Sequence, residues 1–292
     1  MYEKLEQCPS CGHPKFHNYL ICNDHSVSGE SFALVRCDNC QLVFTNPRPS
    51  PSELPKYYES SAYISHTDTS DSLLHFVYRL VRKYTISKKV ALLRKLRSPG
   101  TILDLGCGTG DFLKACRKSG WTVKGIEPNE QARTIASNKN QISIEQDILD
   151  LKKKEKFDVI TAWHVLEHVV DLKETLKQLK KRLEKGGFLI IAVPNIDSHD
   201  FMHYKEYWAG LDVPRHLYHF SPKSFLTLAK KMKLNLVDTK PMKFDAFYVS
   251  LLSERYRSGK MNPINAFLQG YQSNKAAKST VNYSSLIYIL TK

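Results

Sequence analysis
Apolar positions in this chain follow two rhythms. Short apolar stretches at residues 31–36, 101–105, 121–126, 188–193, 234–239 and 286–290 are strand-sized. Other stretches repeat at helical spacing. Leu73, Phe76, Val77, Leu80, Val81 and Tyr84 fall on one helical face, with Asp71 or Ser72 placed to cap it. Residues 111–118 follow a strand and a glycine-rich turn and open a helix. Residues 221–231 form another, with Ser221 as cap and Pro222 in the first turn. Strands and helices of the α/β kind thus alternate along the chain.

Composition changes this picture little. Apolar residues make up 42% of the 292 and charged residues 25%, an ordinary globular balance. No apolar run reaches the length of a membrane span, and the first residues lack a signal-peptide core. The expected location is cytoplasmic, with the cysteines reduced. Charge changes the picture more. The net of +14 favours anionic partners. Eight basic and no acidic residues lie between Ser72 and Arg97. That helix is read as a core-packing element with a solvated basic face; contact with RNA or an anionic membrane surface is the alternative.

Four of the seven cysteines form two identical knuckles, Cys8-Pro-Ser-Cys11 and Cys37-Asp-Asn-Cys40. Each turn aims two thiolates at one point, and two turns complete a tetrahedral sulfur shell, as in a zinc ribbon. Cys8, Cys11, Cys37 and Cys40 are therefore the expected metal ligands. The expected ion is structural Zn2+, because a closed shell leaves no open position; iron fits the same shell. Residues 1–50 carry a net charge of −1, which favours a folding staple or a substrate lid over a nucleic-acid module. Prolines from Pro47 to Pro55 end the ribbon, and Tyr57, Tyr58 and Tyr63 follow.

The densest chemistry lies at Asp104-Leu-Gly106-Cys107-Gly108-Thr-Gly110, between the strand at 101–105 and the helix at 111–118. Glycines let a ligand approach the backbone, and the helix N-terminus favours negative charge. Glu127 ends the next strand about twenty residues on, where an acid can accept both hydroxyls of a ribose. The loop departs from the dinucleotide fingerprint. The third glycine comes one position early, and Asp111 stands where that pattern wants glycine. An Asp there would repel a pyrophosphate but not a sulfonium with an amino-acid tail.

This sequence resembles motif I of class I S-adenosylmethionine-dependent methyltransferases, closest to the branch that includes ubiquinone-type O-methyltransferases. The resemblance covers about residues 98–195. It implies that Asp104, Gly106, Cys107, Gly108 and Gly110 cradle the cofactor. Glu127 and Pro128 would take the ribose, Asp147 and Ile148 would bracket the adenine, and Trp163 and His164 would lie near the cofactor. It also implies strands at 157–162 and 186–195 and a Rossmann-like, seven-stranded, mostly parallel sheet with helices on both faces. A small zinc ribbon precedes the sheet and a helical cap at 243–281 is inserted late. The domains expected are 1–50 (ribbon), 51–97 (linker and basic helix) and 98–292 (methyltransferase).

His164-Val-Leu-Glu167-His168 also fits an inverted zinc-protease pattern. Its place among methyltransferase motifs and the lack of a third ligand argue against that chemistry. The long stretch 196–220 is read as an acceptor loop, dense in His, Tyr and Trp. His216 is the expected base, with His164 and His219 behind it. The expected activity is methyl transfer from S-adenosylmethionine to oxygen, nitrogen or carbon of a small or amphiphilic acceptor such as a quinone, lipid or saccharide. RNA methylation is the alternative, and a non-catalytic module that keeps the cofactor fold is the further one. An NAD-dependent oxidoreductase is disfavoured by Asp111.

Overall fold
The computed structural model describes the backbone of residues 1–58 and 73–292 and the side chains of 1–58 and 79–292. Strands β1 (Tyr2–Glu3), β2 (Phe16–Asn23), β3 (Ser31–Cys37), β4 (Val43–Thr45) and β5 (Arg48–Pro49) come first, then helix α1 (Leu73–Leu96). Next come β6 (Thr101–Leu105), α2 (Asp111–Lys118), β7 (Thr122–Ile126), α3 (Glu130–Asn140) and β8 (Ile144–Glu145). They are followed by β9 (Phe157–Trp163), α4 (Leu172–Arg182) and β10 (Leu183–Pro194). The C-terminal part holds α5 (His199–Tyr204), β11 (Tyr218–His219), α6 (Pro222–Lys231) and β12 (Asn235–Pro241). Helices α7 (Asp245–Ser258) and α8 (Pro263–Thr280) and strand β13 (Ser285–Thr291) complete it.

Seven strands form the principal sheet in the order β12-β13-β10-β9-β6-β7-β8. Pairings β6–β7, β6–β9 and β7–β8 are parallel. The chain starts mid-sheet at β6, builds outward through β7 and β8, and returns on the other side of β6 at β9. The connections therefore diverge from the carboxyl ends of β6 and β9. Such a reversal is where α/β sheets leave a ligand crevice. Ile102, Leu103, Val159, Ile160, Leu189 and Ile190 are fully buried, as a sheet covered on both faces requires.

Two compact units divide the chain. One comprises Met1–Thr67, Leu166–Thr175 and Ala192–Tyr288; the other comprises Asp68–Val165, Leu176–Ile191 and Ile289–Lys292. In the first, residues 1–50 do not close on themselves. A four-stranded sheet runs β11-β4-β3-β2, with Phe44 opposite Tyr218 and Val43 opposite His219. Thr45 N–H donates to Leu217 O at 3.1 Å, and the Thr45 hydroxyl donates to His216 O at 3.0 Å. Three residues of β4 would otherwise leave an open edge.

Residues 196–220 are not a loop but part of the core of this unit. Phe201, Tyr204, Trp208 and Leu211 are buried with Phe32, Leu34 and Val43. Buried Asp200 accepts hydrogen bonds from Trp208 Nε1 (2.7 Å), Ser273 Oγ (2.7 Å) and Ser284 Oγ (2.6 Å). Three donors satisfy a carboxylate that burial would otherwise penalise.

In the second unit, α1 buries Val90 and Leu93. The apolar face expected at its start is corrected where it can be read: Leu80 and Tyr84 are exposed. Among the described residues of the helix, Val90 and Leu93 are the buried apolar ones. Tyr63 and the capping Asp71 or Ser72 lie outside the described residues, as do the side chains of Leu73, Phe76 and Val77.

Candidate functional site
The glycine loop sits at the carboxyl end of β6, at the point where the sheet order reverses. Gly106 has φ +67° and Gly108 φ +53°. The two have different reasons to be glycine. A Cβ on Gly106 would lie 2.5 Å from Val165 Cγ2, whereas a Cβ on Gly108 would meet nothing within 4 Å. Gly106 is needed for packing and Gly108 leaves an open cradle. Cys107 is buried in a small cluster with Leu113, Ala136 and Ile144, and its N–H donates to Ile126 O at 3.0 Å. Burial raises its thiol pKa, so it serves as packing.

Glu127 is fixed to this loop. Gly108 N–H donates to its Oε2 at 2.8 Å, and Asn129 N–H donates to Oε1 at 3.0 Å. Burial raises the carboxyl pKa; the two N–H bonds and Arg133 oppose it. Beneath the loop, Asp104 accepts from Thr161 Oγ1 at 2.6 Å. Burial pushes Asp104 up to about 7, against the Thr161 hydrogen bond and the Lys89 charge. Asp147 is exposed and caps the short 3-10 turn Ile148–Asp150, accepting from Leu149 N–H at 2.8 Å, with Ile148 buried behind it.

Asp111 has a setting that sequence reasoning missed. Its carboxylate pairs with Arg82 Nη2 and with Lys139 Nζ, each at 2.6 Å. Arg82 also donates to Thr109 Oγ1 at 3.2 Å. The basic helix α1 therefore neutralises the acid at the loop. At the end of β9, the Trp163 ring meets Phe112 edge-on at 5.5 Å, with Lys89 Nζ 4.3 Å from its centroid. Trp163 Nε1 is buried with no hydrogen-bond partner among the described residues. His164 follows at φ +57°, an uncommon conformation for a side-chain-bearing residue. The open cradle at Gly108, the buried acid bonded to it and the unsatisfied indole fit an adenosine sulfonium that carries an amino-acid tail.

In the first unit, the four cysteine sulfurs lie within 4.8 Å of one another. Cys8 and Cys40 are 3.5 Å apart, as are Cys11 and Cys37. Contact with the Cys8 thiol holds Cys40 down to about 5, so the cluster carries a thiolate in readiness for a cation. Lys231 Nζ donates to Cys11 O at 2.8 Å. Four sulfurs and no water position suit a structural Zn2+.

A second group gathers Glu167, His168 and His216, with ligand atoms within 4.8 Å of one another. His216 Nδ1 lies 2.9 Å from Gly210 O. A carbonyl only accepts, so Nδ1 carries a proton, and in the neutral ring the lone pair lies on Nε2. That Nε2 is 3.9 Å from Asp212 Oδ2. The rings of His216 and His168 are 4.5 Å apart, and His219 follows at 6.4 Å. Burial, reinforced by His216, lowers His168 to about 4 and His219 to about 3, which keeps both neutral. Buried Arg215 locks the segment through Asp212 (2.7 Å), Asp24 (2.9 Å) and Tyr57 O (2.9 Å). The three donors Glu167, His168 and His216 could also hold a divalent cation. His164, paired with Glu167 and His168 in the protease pattern, is not one of them.

Comparison with known proteins agrees with this geometry. A family model described as a methyltransferase domain matches residues 76–239. The ubiquinone biosynthesis O-methyltransferase of Pelagibacter ubique (strain HTCC1062) is 29% identical over 156 residues, 49% of this chain and 65% of that protein. The enzyme of the same description from Rickettsia akari (strain Hartford) is 26% identical over 187 residues, 62% of this chain and 72% of that protein. The chain thus spans less than two thirds of the Pelagibacter relative, and 40% of the one from Bradyrhizobium diazoefficiens. Magnesium protoporphyrin IX methyltransferase from Synechocystis PCC 6803, solved with bound SAH, shares the fold at TM-score 0.55 and 16% identity. That match covers 83% of this chain and 100% of the Synechocystis chain. Sheet order, glycine loop and the matched family model together make this chain a member of the methyltransferase domain family.

Proposed function
We propose that the protein transfers a methyl group from S-adenosylmethionine to a small or amphiphilic acceptor. The observation that carries this reading is the open cradle at Gly108, closed below by Glu127. When bound, S-adenosylmethionine supplies a methyl group made electrophilic by its sulfonium. Glu127 would accept the ribose hydroxyls, the loop from Gly106 to Gly110 would hold the amino-acid tail, and Asp147 with Ile148 would bracket the adenine. Trp163 and His164 would border the same ligand. The remaining work is alignment of the acceptor and exclusion of water.

His216 is the residue assigned to the acceptor's proton. In the neutral ring its lone pair lies on Nε2, because Nδ1 is committed to Gly210 O. A hydroxyl or amine acceptor bonds to the methyl carbon as the carbon–sulfur bond breaks, and its proton passes to His216 Nε2. His219 and His164 are the other imidazoles proposed for this role. A quinone, lipid or saccharide fits better than RNA. Three cations of the basic helix are engaged internally: Arg82 with Asp111, Lys89 over Trp163, and Arg97 with Asp158 at 2.9 Å.

The test uses S-adenosylmethionine with an isotopic methyl and an extract fractionated into lipid, polar and RNA pools. Label in a small-molecule pool, reduced about 100-fold by His216→Ala, is the expected result. Label confined to RNA, or full turnover by the variant, contradicts the acceptor or the base assignment respectively.

A further inference from the structure
Helix α8 is built inside out. The face it turns to its own unit is made of small residues: Ala266, Gly270, Ser273 and Ala277 are buried. A Cβ on Gly270 would lie 2.6 Å from the Phe247 ring and 2.9 Å from its Cα, so α7 and α8 touch nearly backbone to backbone. Large apolar side chains are left exposed, although the Phe267 ring also meets that of Phe247 at 5.4 Å. Ile264 is 77% exposed, Phe267 61%, Leu268 47% and Tyr271 56%. Their spacing of three, four and seven places them on a single stripe, which an ordinary surface helix buries.

Charge follows the same stripe. Lys275 and Lys278 continue it over the next turns, and Lys260 and exposed Met261 stand just before the helix. Residues 243–281 hold six basic side chains (Lys243, Arg255, Arg257, Lys260, Lys275 and Lys278), all exposed, against Asp245 and Glu254. Glu254 is buried and accepts from Tyr204 OH and Arg257 Nη2, each at 2.9 Å. A contiguous apolar surface rimmed by cations marks an interaction site.

We propose that this face of α8 docks on an anionic lipid bilayer. Apolar side chains along one face of a helix sink to the acyl boundary, while lysines snorkel to the phosphates. Charge complementarity decides the occupant. A second copy of the chain would bring like-charged surfaces together, within a molecule of net charge +14. A bilayer containing phosphatidylglycerol offers the opposite sign. This inference is independent of the methyl acceptor.

The test is cosedimentation of the full chain with vesicles of phosphatidylcholine, alone or mixed with phosphatidylglycerol. The expected result is binding to the mixed vesicles, weaker by about tenfold or more on phosphatidylcholine alone. The triple variant Ile264→Ser, Leu268→Ser, Tyr271→Ser should lose that binding by about tenfold or more. It should keep its melting temperature and its affinity for S-adenosylmethionine, because the altered side chains are exposed. No binding by the natural chain, or equal binding by the triple variant, overturns the proposal. A concentration-dependent dimer that the variant abolishes assigns the face to a second copy and overturns it too.

Discussion
At the scale of single residues, the chemistry follows from which atoms are already committed. His216 Nδ1 is held by Gly210 O, which assigns any proton transfer to Nε2, and His168 and His219 are kept neutral by burial. The neutral pair has a consequence for stability. Their folded pKa values, about 4 and about 3, lie below the ordinary 6.5. The unfolded chain therefore binds more protons in that range, and stability falls as pH drops from 6.5 through 4. Melting temperature followed across this range should fall, and His219→Asn should fall less steeply; an identical slope would contradict the assignment. Some of this was legible in the sequence. The glycine spacing and Glu127 mark two parts that the structure joins through the Gly108 N–H, but the His-x-x-Glu-His pattern at 164–168 misdirects. Its partner His216 comes from a segment nearly fifty residues away, and no local spacing announces that.

At the scale of elements, the parallel strands were readable because burial on both faces writes itself as apolar runs. Helix α6 was readable from its cap, where Ser221 and Ser224 bond reciprocally. The failures share a cause. Strand β11 has two residues and exists through pairing with β4, far away in sequence. The aromatic stretch before it looked like a loop because its partners, Phe32, Leu34 and Val43, lie at the other end of the chain. Helix α1 leaves Leu80 and Tyr84 of the expected apolar face exposed and buries Val90 and Leu93 instead. Cys37 ends β3 and Cys40 lies just before β4, so a metal held there would matter beyond residues 1–50. Cys37→Ser should reduce bound zinc from about one ion per chain to near zero. It should lower the melting temperature by about 5–10 °C. Unchanged stability in the metal-free variant would contradict a structural role. About two ions per chain in the natural protein would place the second on Glu167, His168 and His216, and would remove His216 Nε2 as the base.

At the scale of the molecule, the parts agree on one task. A sheet that reverses beside β6, an open cradle at Gly108 and an acid buried against it support the proposed S-adenosylmethionine site. The net charge of +14 is partly spent inside, where Arg82 and Lys139 neutralise Asp111, and partly displayed along α7 and α8. The most direct measurement is calorimetric titration of the purified chain with S-adenosylmethionine and with NAD, repeated on Glu127→Ala. Binding of S-adenosylmethionine alone, weakened about 10- to 100-fold in the variant by the loss of charge-assisted hydrogen bonds, is the result expected. Binding of NAD, binding of neither ligand, or an unchanged affinity in Glu127→Ala would contradict the reading of the glycine loop.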